Sequence, residues 1–401
     1  MAGDEPHDGE DVPNPFASLP IFGDMMRAMS QQGPLNWELA SQFAVLGATG
    51  DTPDPVPDPS VRIAFDALAA IADMHVSEIS GLPTGPGGRR PEILTVTRAA
   101  WAQRTLTDLR PLFTDLATSL GARNTPPARD SDPFGAMLAN LSSMMAPSMM
   151  GIAIGSMVGA LARHALGQYE IPLARSNSSD ILVIASSVDS FAAEWDIARD
   201  DLRMWVLIHE LSSHAILSSP AVRLGLSPLI ARHAAAFKPD PTAIVDRLGS
   251  FDPSDEDAMS NLQRMFSDPM VILGAVKSDE QADIAPLLDA RLAAVSGCID
   301  FVVDSVAARL LGGSSRIAEA VRRRRVDYGT DAQLIERLLG VNVTRALQVR
   351  GRAFIDGAVE RAGVGMLARL VESPVNLPTP NEVDAPGLWI ARLDLGADPV
   401  G

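Results

Sequence analysis

The sequence predicts a mainly helical α+β fold with one small β-sheet. Three observations carry this. Apolar residues recur at helical spacing through most of the chain beyond residue 34. From Asp200 onward nearly every segment keeps that period. Only three short runs look extended: Ile93–Val96, residues 167–174 ("GQYEIPLA") and residues 180–191 ("DILVIASSVDSF").

In chain order, residues 1–33 are acidic, low in periodicity and interrupted by Pro and Gly. They are expected to be a disordered acidic N-terminal tail holding one short apolar patch, "PFASLPIFGDMMRAM". Residues 34–401 are expected to be a single domain, because no linker-like stretch interrupts them. Gly33-Pro34 breaks the chain and Asn36 caps a first helix. "DTPDPVPDP" is a loop, and Pro59-Ser60 opens a second helix. "TRAAWAQRTLTDLRPLFTDLATSLGAR" reads as one amphipathic helix. Residues 134–162 then carry no charge, and Gly151, Gly155 and Gly159 repeat at small-xxx-small spacing. The stretch is long enough to span a bilayer. Asn140, Ser142, Ser143, Pro147 and Ser148 interrupt it, so buried helices broken at Pro147 are expected instead, with no membrane partner. The two runs at 167–174 and 180–191, joined by "RSNSS", are expected to pair as the main sheet. The later helices are "WVLIHELSSHAIL", "PAVRLGLSPLIARHAAAF", "PTAIVDRLGSF", "DIAPLLDARLAAVSGCIDFVVDSVAARLLG" and "DAQLIERLLGVNVTRALQVRGRAFIDGAVERAG".

The net charge of -17 over 401 residues argues against sequence-independent nucleic-acid binding, which rests on neutralising phosphates. One cysteine, Cys298, permits no intrachain disulfide. The start "MAGDEPHDGEDVPNP" has neither a basic nor an apolar signal region, so a cytoplasmic location is expected. No G-x-G-x-x-G follows a strand, so no nucleotide cofactor is expected.

The segment richest in chemistry is "HELSSH", His209 to His214. Zinc peptidase helices carry His-Glu-x-x-His because residues four apart lie about 40° apart and converge on one ion, with the glutamate as base for a bound water. His209 and His214 are five apart and diverge by about 140° on a regular helix. Ser213 stands where the second ligand would be, and a hydroxyl is a poor Zn²⁺ ligand. A π-bulge or a Glu210–His214 pair would be needed to rescue the site. From residue types alone, a core helix with incidental histidines is the simpler reading.

Several segments together resemble the actinobacterial zincin-like family of zinc-dependent metalloproteases, also labelled F420-biosynthesis-associated hydrolases. They are "GPLNWELA", "GQYEIPLAR" followed by "ILVIASSVDSF", "HELSSHAIL", "RLAAVSGCIDFVVDSVAARL", "RRRR", "IERLLGV", "GRAFIDGAVERAGV" and "VESPVNLPTPNEVDAPGLWIARL", over roughly residues 33–395. The resemblance implies a zincin-like metalloprotease fold with a small sheet beside the motif helix. It makes His209 the first zinc ligand, Glu210 the general base, and His214 the extra histidine after the motif. It places Ser213 at the second ligand position and, in "SGCID", Ser296 at the third, with Asp300 retained. Asp300 or Asp304 is the nearest replacement acid.

The expected function is therefore that of a pseudo-peptidase with degraded zinc ligands, which binds a peptide or protein partner. The alternative is an active zinc hydrolase using His209, His214 and Asp300, with Glu210 as base. Among other candidates, Arg322–Arg325 reads as a solvated face paired with Glu319 and Asp327, or as a site for a phosphate or acidic partner. His75, His164 and His233 read as surface or satisfied core histidines, and Ser212 lacks the sharp turn of a nucleophile.

Overall fold

The computed structural model describes residues 33–50, 52–121, 133–175, 179–239, 275–276, 278–326, 338–341 and 343–396. The expected tail at 1–33 lies outside these residues apart from Gly33, as does the expected helix at 241–251. The fold is mostly helical with a small parallel sheet, as the periodicity predicts.

Helix α1 (Trp37–Thr49) starts at Asn36, whose Oδ1 accepts from Leu39 N at 3.1 Å. Helix α2 (Pro59–Ser80) is capped by Asp58 and ends at Gly81 in the left-handed region. Strand β1 (Glu92–Thr95) leads to α3 (Arg98–Asp108) and α4 (Arg110–Gly121). The single helix expected over this stretch is therefore two. Pro111 has no N–H to continue the α3 ladder, so the helix restarts with Pro in its first turn.

Helix α5 (Pro133–His164) is unbroken, and the expected break at Pro147 does not occur. A mid-helix proline costs about 3 kcal/mol. Packing against α1 offsets it, and the Pro147 carbonyl accepts from Asn36 N at 2.9 Å. The α5 glycines form the ridge of that contact. A Cβ on Gly155 would lie 2.9 Å from Ala40 Cα, and one on Gly159 would lie 2.8 Å from Gly47 Cα. Met145–His164 is long and apolar enough to cross a membrane by length and composition. In this fold its small-residue face is filled by α1.

Strand β2 (Asp180–Val183) pairs with β1 in parallel, from Glu92↔Asp180 to Thr95↔Val183. The expected pairing of 167–174 with 180–191 is thus corrected. Residues 168–170 form a 3₁₀ turn, and only Gly167 bridges Val183. After Val183 the chain becomes helix α6 (Ala185–Glu194). Its buried residues Ala185, Val188, Phe191 and Ala192 follow helical spacing, which the strand reading overlooked.

Helix α7 (Arg199–Leu217) carries the motif through the core, with Asp200 and Asp201 favourably placed in its first turn. Arg203 ties it to α6 through Asp189, at 2.9 and 2.7 Å. Helix α8 (Pro220–Ala235) follows, and the two-residue strands β3 (Lys238–Pro239) and β4 (Ala275–Val276) pair antiparallel. Helix α9 (Asp279–Leu310) opens with a Ser278–Gln281 capping box and packs on α7. The remaining helices are α10 (Ser314–Val326), α11 (Arg345–Ala362), α12 (Met366–Leu370), α13 (Pro380–Asp384) and α14 (Pro386–Leu395). One apolar cluster runs through α1 to α14.

Candidate functional site

Helix α7 is α-helical from Arg199 to Leu217, without a π-bulge. His209 and His214 therefore point to different surroundings. The His209 side chain is 16% exposed, and its ring stacks on Trp205 at 5.5 Å. Its Nδ1 lies 3.1 Å from Glu210 Oε1. A carboxylate only accepts, so Nδ1 donates in this pair and Nε2 is the nitrogen left for another partner. His209 thus retains one nitrogen suited to a metal.

Glu210 is buried, and both carboxylate oxygens are engaged. Oε1 meets His209, and Oε2 accepts from Tyr169 N at 2.9 Å. The turn that supplies this N–H lies directly on the carboxylate. A Cβ on Gly167 would stand 2.6 Å from Glu210 Oε1 and 2.7 Å from Cγ, so any side chain here would displace the carboxylate. Trp101 Nε1 donates to the Gly167 carbonyl at 2.9 Å and holds the turn in place. Arg175, also buried, donates to the Gln168 carbonyl at 2.7 Å, and its charge lies close enough to be felt by Tyr169 and Glu210.

His214 is buried, and its Nδ1 shares a 2.7 Å hydrogen bond with the Tyr169 hydroxyl. Burial pushes His214 down to about 4, against a small opposing pull from Asp180, so the ring is neutral at physiological pH. Burial also pushes the Tyr169 hydroxyl well above its ordinary value, so it stays protonated. His214 Nε2, Ser212 Oγ and Ser296 Oγ are enclosed without hydrogen-bond partners. Ser213 and Ser296 are both buried, on helices α7 and α9. Asp300 is half-buried on α9 and has interactions of its own. Asp304 is on the surface, 2.5 Å from Arg352 Nη1.

Among the described residues, no group of three His, Cys, Asp or Glu side chains converges as a metal site. The structure brings His209 and Glu210 together and directs His214 to Tyr169. Ser213 and Ser296 carry hydroxyls at the two positions that the family resemblance assigns to further zinc ligands. A structural or catalytic zinc takes three or four N, S or carboxylate ligands. The residues present do not fit a zincin zinc ion.

Three contributors escaped the sequence reading: Gly167, Tyr169 and Arg175. Gly167 and Tyr169 lie in "GQYEIPLA", read there as a strand, and Arg175 opens the connector that follows it. A buried turn has no periodic signature, but Gly-Gln-Tyr-Glu ahead of Pro172 was a usable breaker signal. Two concavities form away from the motif. One is an open groove at α11, α13 and Pro386. The other lies where α5 ends and α6 begins.

Comparisons with known proteins agree with this architecture. A solved structure, a "putative hydrolase with a novel fold" from Chloroflexus aurantiacus, superposes with a TM-score of 0.60 at 21% identity, covering 90% of this chain and 99% of that one. A search of the curated proteins gives no match. The family model described as Zincin-like metallopeptidase matches residues 35–390, and the chain belongs to that family.

Proposed function

We propose that this protein is a zincin-like family member whose zinc centre has been dismantled, and that it works by binding rather than by peptide hydrolysis. The observation that carries this reading is the state of Glu210. A general base needs a carboxylate oxygen free to take a proton from a polarised water. Both Glu210 oxygens are held by internal donors beneath Gly167. The carboxylate acts as a bracket between α7 and the 167–170 turn. Ser213 and Ser296 support the same reading, since each is a small hydroxyl at a position aligned with a ligand. The protein is proposed to be a cytoplasmic binding or scaffolding protein for a peptide or protein partner. Its negative charge supports excluding nucleic acid.

The test is the metal content of the purified full chain, grown with and without added zinc and measured by inductively coupled plasma mass spectrometry. Zinc far below one per chain in both is the expected result. Near-stoichiometric zinc that disappears in His209→Ala would overturn the proposal and favour a hydrolase with an altered ligand set.

A further inference from the structure

The arginine run at 322–325 and the second concavity meet at one place. Arg323 Nε donates to Glu319 at 2.9 Å and Arg322 lies 3.9 Å from the same carboxylate, so these two form the solvated face. Arg324 turns the other way. Its guanidinium sits 4.7 Å from the Phe191 ring centroid and lines a cavity of about 400 Å³ with Arg163 and His164.

We propose that this cavity binds a small phosphate monoester, with the phosphate held by Arg163, Arg324 and the start of α6. The proposal does not depend on whether the chain holds zinc.

Four observations support it. First, the two arginines have no carboxylate partner among the described residues, in a chain of net charge -17. Arg98, the third arginine at the cavity, is different. It lies 3.5 Å from Asp54 and donates to the Thr52 and Pro53 carbonyls, so it shapes the wall. Second, Arg324 Nη1 is shielded from solvent and has no acceptor. A guanidinium N–H in that position calls for an anion. Third, His164 is held below its ordinary value by burial and by the positive field of Arg324 and Arg163, with Glu170 opposing. The field at the cavity is therefore positive without a protonated histidine. Fourth, α6 begins here. Its first intrahelical bond is Val188 N to Ile184 O, and Ile184 supplies no side-chain cap. Ser186 and Ser187, in the first turn, line the cavity. Arginine forks facing a helix start form a recurrent phosphate cradle.

The opposite end narrows the ligand further. Glu194 is the carboxylate on the lining, eight residues after Ser186, or about 12 Å along the helix axis. The cavity runs along α6 from Ser186 to Glu194 and carries both signs of charge, Arg163 and Arg324 against Glu194. A cavity of this size takes a metabolite and not a polymer. The fitting class is a phosphate monoester whose organic part offers hydroxyl donors to Glu194.

The test is isothermal titration calorimetry on the full chain with three probes: ribose 5-phosphate, inorganic phosphate and ribose. Ribose 5-phosphate is expected to bind at least about ten times more tightly than inorganic phosphate, and ribose not to bind, up to ~10 mM. Arg163→Gln, on an exposed side chain, and Arg324→Gln are each expected to weaken ribose 5-phosphate at least about tenfold. Glu194→Gln is expected to weaken ribose 5-phosphate and leave inorganic phosphate unchanged. Thermal melts check that each variant is folded, and Arg163→Gln decides the matter if Arg324→Gln is not. No binding of either phosphate to the wild type, or equal binding by wild type and Arg163→Gln, would overturn the proposal. Binding of inorganic phosphate alone would overturn the assignment to a monoester.

Discussion

Replacing Gly167 with alanine tests whether the Glu210 carboxylate is a structural bracket. The backbone at Gly167 is extended, with φ -148° and ψ -169°, so alanine adds no backbone strain. All of the cost arises where the new methyl meets Glu210. Its Cβ would stand 2.6 Å from Oε1 and 2.7 Å from Cγ, whereas ordinary contact begins at 3.4 Å. Glu210 Cδ is closer still, so relief requires a shift of roughly 1 Å, which stretches the 2.9 Å bond from Tyr169 N beyond the limit of hydrogen bonding. A hydrogen bond to a charged group is worth about 1.5–3 kcal/mol, and overpacking adds about 1–3 kcal/mol. The stiffer unfolded chain returns about 0.5–1 kcal/mol. The net destabilisation is about 3 kcal/mol, read from urea unfolding of the full chain. In a Glu210→Ala background the obstacle is gone, and the same substitution is expected to be neutral or slightly stabilising. The coupling energy is therefore about 3 kcal/mol. Additivity of the two substitutions within ~0.5 kcal/mol would refute the bracket.

Stability should also report the buried His214. Its folded value of about 4 lies below the ordinary 6.5, so its contribution is complete above pH 6.5 and is lost as pH falls towards 4. Relative to His214→Gln, the wild type should lose about 3 kcal/mol over that window, measured by urea unfolding at each pH; a flat difference would contradict a buried neutral ring. Gly155→Ala should destabilise by about 2 kcal/mol although alanine is the better helix former by about 1 kcal/mol, because its methyl would meet the Ala40 backbone. A raised melting temperature would show that α1 and α5 are not packed through the ridge. Ser213→His combined with Ser296→Glu should raise the zinc content of the folded chain towards one per molecule, measured by mass spectrometry. A folded double variant that gains no zinc would show that α7 and α9 no longer hold the ancestral geometry.

How much of this was legible in the sequence depends on whether a feature is local. The helix starts at Asn36 and Pro59 were readable because a cap or an N-terminal proline acts on its own turn. The geometric failure of "HELSSH" was readable because it follows from helical pitch alone, and the unbulged α7 preserves it. The unbroken α5 was not readable. Its proline is offset by a partner helix about a hundred residues away in the chain. The turn at 168–170 was lost for a related reason. Gln168, Tyr169 and Glu170 are all buried, which mimics a strand in composition, and what shapes them is Glu210, some forty residues later. The same distance explains why a single motif misleads about function. Glu210 reads as a catalytic base as long as only its neighbours on α7 are considered. Its role changes once a glycine from another segment is seen against its carboxylate. A carboxylate that accepts a backbone N–H under a glycine lid lowers the energy of the folded chain, and that same contact holds it against the 167–170 turn, away from an entering water. On the function proposed here, activity is exchanged for stability in one contact between Gly167, Tyr169 and Glu210, and that contact involves no atom of His209.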